Sequence, residues 1–91
     1  MKKEAITLQT KLARRVIRKA FFAPSDMITV AGVDTAYRQN RACAAVVVIS
    51  LEDLKIIEEV VAVKPARFPY IPGLLSIREG PVILEALSRL K

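Results

Sequence analysis

The segment from Pro69 to Pro81 limits the possible folds of this 91-residue chain more than any other stretch, because it holds three of the five prolines. Each proline fixes its backbone φ at about −65° and removes an N–H donor, and it pushes the preceding residue toward an extended conformation. Pro69 and Pro72 therefore predict a stiff, non-helical tip that carries Tyr70 and Ile71.

A turn and a helix are predicted after this tip. Gly73 allows a sharp turn, because glycine adopts positive φ at little cost. Ser76 and Glu79 stand three residues apart, which is the spacing of a capping box at a helix start. We predict a helix from about Leu75 to Leu90, which Pro81 either kinks or divides after a first turn. Its predicted core stripe is Leu75, Val82, Ile83, Ala86, Leu87 and Leu90.

One helix and three strands are predicted before the tip. Residues 4–20 carry apolar side chains at three- and four-residue intervals, which is typical of an amphipathic helix. Residues 27–37, 42–50 and 55–63 are rich in β-branched and apolar side chains, which favours strands. The short links between them favour an antiparallel meander of two hairpins, although a helix remains an alternative for residues 51–63. The order helix, three-stranded antiparallel meander, helix predicts the α+β class.

Length and composition indicate one small domain, which we assign to residues 1–91. The hydrophobic content of 53% is high for so short a chain and indicates either surface that a partner covers or a piece of a larger protein. Cys43 is the single cysteine, which excludes an internal disulfide and fits a reducing compartment. We find no signal peptide and no apolar run of the roughly 20 residues that a spanning helix needs. We therefore expect a cytoplasmic protein with no membrane partner.

The charge of the chain favours an acidic partner. Lys and Arg number 15 against nine Asp and Glu, which gives a net charge of +6 and favours nucleic acid. The absence of histidine removes histidine acid–base chemistry and histidine metal ligands. Basic residues on the predicted first helix form either a solvated face or a phosphate-contacting face: Lys11, Arg14, Arg15, Arg18 and Lys19.

Two motifs resemble those of a known family. Residues 69–81 read Pro-Tyr-Ile-Pro-Gly-Leu-Leu-Ser-Ile-Arg-Glu-Gly-Pro, and residues 30–37 read Val-Ala-Gly-Val-Asp-Thr-Ala-Tyr. In this order and at about this spacing they resemble the endonuclease V family. Its members are metal-dependent nucleases of the ribonuclease H-like fold that cut nucleic acid near deaminated adenine (inosine). The resemblance covers nearly the whole chain but only the amino-terminal part of the family, and it implies the amino-terminal half of that fold.

The resemblance implies roles for individual residues. Asp34 and Glu79 match the catalytic metal ligands of the family, for Mg²⁺ with Mn²⁺ as a second possibility. Tyr70 matches the wedge that enters beside the lesion, and Gly73 and Leu75 match residues that touch the flipped base. The nucleic-acid-binding residues predicted in this way are Pro69, Tyr70, Ile71, Pro72, Gly73, Leu75 and Arg78.

The chemistry of the two acids agrees with this reading. Asp34 is a lone acid in an apolar strand, so it needs hydrogen bonds, a cation or a solvent-exposed position. If the last helix packs across the sheet, Asp34 and Glu79 face one pocket, where a divalent ion would remove their mutual repulsion. The alternative reading is an exposed turn acid and a capping acid, with no metal.

The predicted function is that of a metal-dependent endonuclease on inosine-containing DNA or RNA, inactive as an isolated 91-residue chain. Family members continue with a strand that bears another essential aspartate, and with a lysine and histidines near the site. The alternatives are a non-catalytic module that binds nucleic acid or a partner, and a fragment without independent function. We also expect either a homo-oligomer or a separate carboxyl-terminal partner, since the strand at residues 27–37 has few features that block edge pairing.

Overall fold

A computed structural model describes residues 2–91 as two helices and a three-stranded sheet. A short 3₁₀ turn at Pro24–Asp26 separates the first helix from the first strand, and Asp26 closes this turn by accepting the Ala23 N–H at 3.0 Å. The elements in chain order are α1 (Lys2–Ala13), β1 (Thr29–Arg38), β2 (Arg41–Ser50), β3 (Ile56–Pro65) and α2 (Leu75–Ser88).

The sheet is the predicted meander, in the order β1-β2-β3 with both pairs antiparallel. A two-residue turn joins β1 to β2, and Gln39 in it has a φ of 56°. The second turn ends at Leu54, which has a φ of 58°. The α+β prediction is thus confirmed, and the helical alternative for residues 51–63 is wrong because the β-branched residues of β3 pair with β2.

The core lies between α2 and one face of the sheet. Ala42, Ala44 and Val46 alternate along β2 and are buried, and Val82 and Ala86 meet them from α2. Alternate residues of a strand point to the same face, so every second residue of β2 is covered by the helix. Because most of these side chains are small, the helix axis can approach the sheet closely. Leu75 and Leu87 are half exposed, so the predicted core stripe is too wide on that helix flank.

The first helix is shorter than predicted. It ends at Ala13, and residues 14–28 are exposed along their whole length. Helices gain most of their stability from packing, and Ala5 is the one buried residue of α1 among those described. The β-branched pair Val16 and Ile17 lowers helix propensity just where no buried face compensates. The basic residues from Arg14 to Lys19 therefore lie on an irregular segment, and they do not form a helical face.

The second helix decides between the two alternatives at Pro81 and corrects the predicted capping box. It runs without interruption through Pro81, so it is one helix and not two. It begins after Leu74, whose side chain makes no capping hydrogen bond, and Ser76 lies inside the first turn. The predicted capping box is therefore wrong. The Glu79 carboxylate instead accepts a hydrogen bond from the Thr35 hydroxyl of β1.

Candidate nucleic-acid and metal site

Asp34 and Glu79 both accept a hydrogen bond from Thr35, a residue of β1. The Thr35 hydroxyl donates to Glu79 Oε2 at 2.6 Å, and the Thr35 backbone N–H donates to Asp34 Oδ1 at 2.9 Å. One strand residue therefore holds a carboxylate from its own strand and a carboxylate from α2. The short hydroxyl–carboxylate distance is typical of a charge-assisted hydrogen bond.

The pleat of β1 explains this arrangement. Thr35 and Tyr37 pair with Ala44 and Ala42, which lie under α2, so both side chains point toward the helix. Asp34 pairs with Ala45 and belongs to the opposite face. Its side chain is exposed but turns back to the Thr35 N–H. The two carboxylates therefore reach Thr35 from different sides of the strand.

Arg78 lies between two tyrosine rings. Its guanidinium carbon is 4.2 Å from the centroid of the Tyr37 ring and 5.8 Å from that of Tyr70. Both distances are within the range of cation–π attraction. Arg78 thus connects the exposed tip to the sheet, and it lies directly beside Glu79 in sequence. The Arg78 Nε atom and the Tyr37 hydroxyl are both buried and have no hydrogen-bond partner among the described residues.

The ionisation of Tyr37 reflects this setting. Burial raises the pKa of the Tyr37 phenol above its usual value of 10.0, and the nearby Glu79 carboxylate raises it further. The positive charge of Arg78 opposes both effects without reversing them. Tyr37 therefore stays neutral at physiological pH and presents a hydroxyl, not a phenolate, to its neighbours.

The tip is held by a tight turn. The Leu74 N–H donates to the Ile71 carbonyl at 3.0 Å, with Pro72 and Gly73 at the two central positions. Gly73 has a φ of 86°, so this is the type II geometry that favours proline followed by glycine. Leu74 is buried and anchors the turn, while Tyr70 projects with 64% of its surface exposed. The predictions of a non-helical tip and a sharp turn at Gly73 are confirmed, and its stiffness stays a prediction.

A basic concavity lies under the tip. A pocket of about 420 Å³ between the end of β3 and the first turns of α2 is lined by Lys64, Arg67 and Arg78, and its other lining residues are apolar. Neither Asp34 nor Glu79 lines it. Three cations around one concavity suit a phosphate group, so this surface is separate from the carboxylate pair but adjacent to it through Arg78.

Four of the nine predicted site residues take part in these contacts. Asp34, Glu79, Arg78 and Tyr70 are linked through the contacts above. Sequence reasoning missed Thr35 and Tyr37, although period-two alternation along β1 places both on the helix-covered face. The remaining predicted residues are exposed or half-buried: Pro69, Ile71, Pro72, Gly73 and Leu75.

Comparison with known proteins assigns the family. The family model described as Endonuclease V matches residues 10–91. This chain belongs to the endonuclease V family. It is 46% identical over 90 residues to endonuclease V of Rippkaea orientalis and 42% identical over 88 residues to that of Roseiflexus sp.. In each case 97% of this chain is aligned, but it covers 38% and 39% of the relative, so the chain spans about two fifths of the length of these curated relatives.

Solved endonuclease V structures share its fold. Endonuclease V of Streptomyces avermitilis superimposes with a TM-score of 0.90 at 38% identity, over 98% of this chain and 40% of that structure. The catalytic domain of human endonuclease V gives a TM-score of 0.87 at 29% identity, over 97% and 39% of the two chains. The helix–meander–helix arrangement is therefore the corresponding part of the ribonuclease H-like endonuclease V fold. Within residues 2–91 no helix is long and apolar enough to cross a membrane.

Proposed function

We propose that this chain is the metal-binding and lesion-contacting part of a metal-dependent endonuclease that acts in the cytoplasm on inosine-containing DNA or RNA. The observation that carries the proposal is the convergence of Asp34 and Glu79 on Thr35, beside the tyrosine-bearing tip. Two carboxylates from distant elements approach one residue, and the proline-rich tip that resembles the family wedge is joined to the same helix turn through Arg78.

The two carboxylates suit a hard divalent ion. Oxygen ligands are what Mg²⁺ prefers, and it commonly keeps several waters and substrate phosphate oxygens beside one or two carboxylates. Asp34 is exposed, and Glu79 has unused lone pairs beyond the one that accepts the Thr35 hydroxyl. Mg²⁺, or Mn²⁺ in its place, would be held by Asp34 and Glu79. When bound, the ion would lower the pKa of a coordinated water and neutralise charge on the attacked phosphodiester.

The remaining residues bind and orient the nucleic acid. Tyr70 presents an exposed ring on a non-helical tip, which suits stacking against a base or insertion beside a lesion. Gly73 and Leu75, directly after the tip, would touch a base that has left the stack. Arg78 and the basic pocket under the tip would contact phosphates, which position a substrate without reading its sequence.

Metal binding is tested by calorimetric titration with Mn²⁺. We expect weak binding by the parent chain, because two carboxylates are fewer ligands than tight sites use. Asp34→Ala and Glu79→Gln should each weaken it by about 10-fold or more. Glu52→Gln, which removes an exposed acid from the turn between β2 and β3, is the matched control and should leave affinity unchanged. Equal affinity in Asp34→Ala and the parent would refute the metal assignment.

We expect no inosine-directed cleavage by the isolated 91-residue chain. No group of three or more acidic, histidine or cysteine side chains that could hold a metal ion occurs within residues 2–91, and two carboxylates do not both fix the ion and orient the attacking water. The measurement is nicking of an inosine-containing duplex with Mg²⁺. Robust nicking that Glu79→Ala abolishes would contradict this expectation and would show that two carboxylates suffice.

A non-catalytic nucleic-acid-binding role is the second candidate. The net charge of +6 and the basic pocket under the tip favour it, and neither depends on a metal. This role predicts equal affinity for duplexes with and without inosine. The affinity should be the same whether Mg²⁺ is present or absent. A preference for the inosine-containing duplex would favour the first proposal.

A further inference from the structure

We infer that Thr35 is a positioning residue that orients the Glu79 carboxylate for a cation through its side-chain hydroxyl. The inference rests on the proposed metal site at Asp34 and Glu79. Thr35 is set apart by its hydrogen bonds, because it is bonded to both acids, once through its hydroxyl and once through its backbone N–H.

The Thr35 hydroxyl donates its proton to a single acceptor. A threonine hydroxyl has a single proton to donate, and the proton of Thr35 goes to Glu79 Oε2 at 2.6 Å. This bond occupies one of about four lone-pair positions of the carboxylate. Within residues 2–91 no hydrogen bond to Glu79 Oε1 is present, so the Thr35 hydroxyl engages one carboxylate oxygen and leaves the other available as a ligand.

Glu79 needs such a restraint more than Asp34 does. A glutamate side chain has three rotatable bonds and loses much conformational freedom when it is held in place. Asp34 has two, and its carboxylate is already held by the Thr35 backbone N–H. Ligands to metals are commonly oriented by hydrogen bonds from outer residues, and loss of such a partner typically weakens metal affinity by about 10- to 100-fold.

The Thr35–Glu79 hydrogen bond joins distant parts of the chain, so the role of the Thr35 hydroxyl is not confined to the local backbone of β1. The bond joins residues 44 positions apart and connects the edge strand β1 to the first turns of α2. Thr35 is half-buried, and its position on the helix-covered face is set by the pleat, not by its hydroxyl. Valine has nearly the same shape and the same β-branched preference for strands, so Thr35→Val removes the donor and leaves the strand residue otherwise alike.

The test uses three variants of the full 91-residue chain. Thr35→Val removes the hydroxyl, Thr35→Ser keeps it and removes the methyl group, and Thr29→Val removes a hydroxyl from the first residue of the same strand. Mn²⁺ affinity is measured by paramagnetic broadening of the amide signals of residues 33–36 and 78–80. We expect Thr35→Val to weaken Mn²⁺ binding by at least about 10-fold. Thr35→Ser and Thr29→Val should stay close to the parent.

A second readout needs no metal. Three-bond couplings along the Glu79 side chain should report one dominant rotamer in the parent and in Thr35→Ser. In Thr35→Val they should average over several rotamers, while amide spectra confirm the fold. Averaged couplings in the parent, or unchanged couplings in Thr35→Val, would overturn the inference.

The metal and rotamer readouts separate the inference from the proposed function. If Thr35→Val binds Mn²⁺ like the parent while Asp34→Ala does not, the positioning role is wrong and the metal site stands. If Thr35→Ser loses as much affinity as Thr35→Val, the methyl group and not the hydroxyl matters, which also overturns the inference. If the parent binds no Mn²⁺, the proposed metal site fails, and the claim that the hydroxyl orients Glu79 is then decided by the couplings.

Discussion

Individual residues on β1 and α2 decide how the tip and the acids are joined. Thr35 and Tyr37 are two residues apart on the helix-covered face of β1, and they meet Glu79 and Arg78, which are neighbours on α2. The hydroxyl of one strand residue binds the acid, and the ring of the other binds the cation. The Tyr70 ring also lies near this guanidinium, with its centroid 5.8 Å from the guanidinium carbon. The tip is thus linked through Arg78 to Tyr37 on β1, and Arg78 is the sequence neighbour of Glu79 on α2.

The Tyr70 ring is expected to stack on nucleic acid. Tyr70→Ala should weaken binding to single-stranded or mismatched substrate more than binding to an intact duplex, by about 1–3 kcal/mol for the loss of one stacked base. Tyr70→Phe keeps the ring and should bind like the parent. Fluorescence anisotropy at two salt concentrations measures both effects, because the phosphate contribution falls with salt and stacking does not. If Tyr70→Ala binds every substrate like the parent, the wedge assignment is lost.

At the scale of elements, the two turns of the meander carry conformational strain. Gln39 and Leu54 both adopt positive φ, which costs an L-residue with a side chain roughly 1–2 kcal/mol. Leu54 is 69% exposed, so little packing compensates for this conformation. The register of β2 with β3 holds it there, since Leu54 donates its N–H to the Ser50 carbonyl at 2.8 Å.

Leu54→Gly should therefore stabilise the chain. Glycine adopts this φ without the Cβ clash, and the larger entropy of the unfolded glycine chain offsets part of the gain, which leaves about 0.5–1 kcal/mol. Urea unfolding followed by circular dichroism measures the free energy of unfolding. Leu51→Gly, at the start of the same turn, is the control and should destabilise, because Leu51 does not have positive φ. A less stable Leu54→Gly would show that its side chain packs more tightly than its exposure indicates.

At the scale of the whole molecule, large apolar surfaces remain exposed. β1 is an edge strand of the sheet, with Val30 and Val33 half exposed, and Ile57 and Val61 are open on β3. The one charge within the middle of β1 is Asp34, which is a modest obstacle to strand pairing. The outer face of α2 also exposes Leu84. Such edges and faces promote association with another chain.

We predict that the 91-residue chain forms a homodimer or larger assembly, most simply with two-fold symmetry. Sedimentation equilibrium at micromolar concentration measures it. If two β1 edges pair, Val30→Lys should yield monomers, whereas Ile57→Lys on the opposite edge should not. If helices pair instead, Leu84→Lys should be the variant that dissociates. A monomeric parent with a well-dispersed amide spectrum would refute the prediction.

The sequence alone determined the parts of this protein that depend on local geometry. Prolines and Gly73 specified the non-helical tip and its type II turn, because they restrict φ wherever they occur. β-branched runs with short links specified the meander. The two motifs identified the family, because their residues and their order can be read from the sequence without knowing which side chains are in contact.

Only the tertiary structure decided which side chains meet. The acid that resembled half of a capping box bonds across 44 positions to Thr35, and a predicted substrate-contacting arginine lies between two tyrosines. The first helix stops at Ala13 because nothing packs on its continuation, although the apolar pattern runs on to residue 20. Local propensities differ by less than about 1 kcal/mol per residue, so long-range packing and hydrogen bonds outweigh them wherever the two disagree.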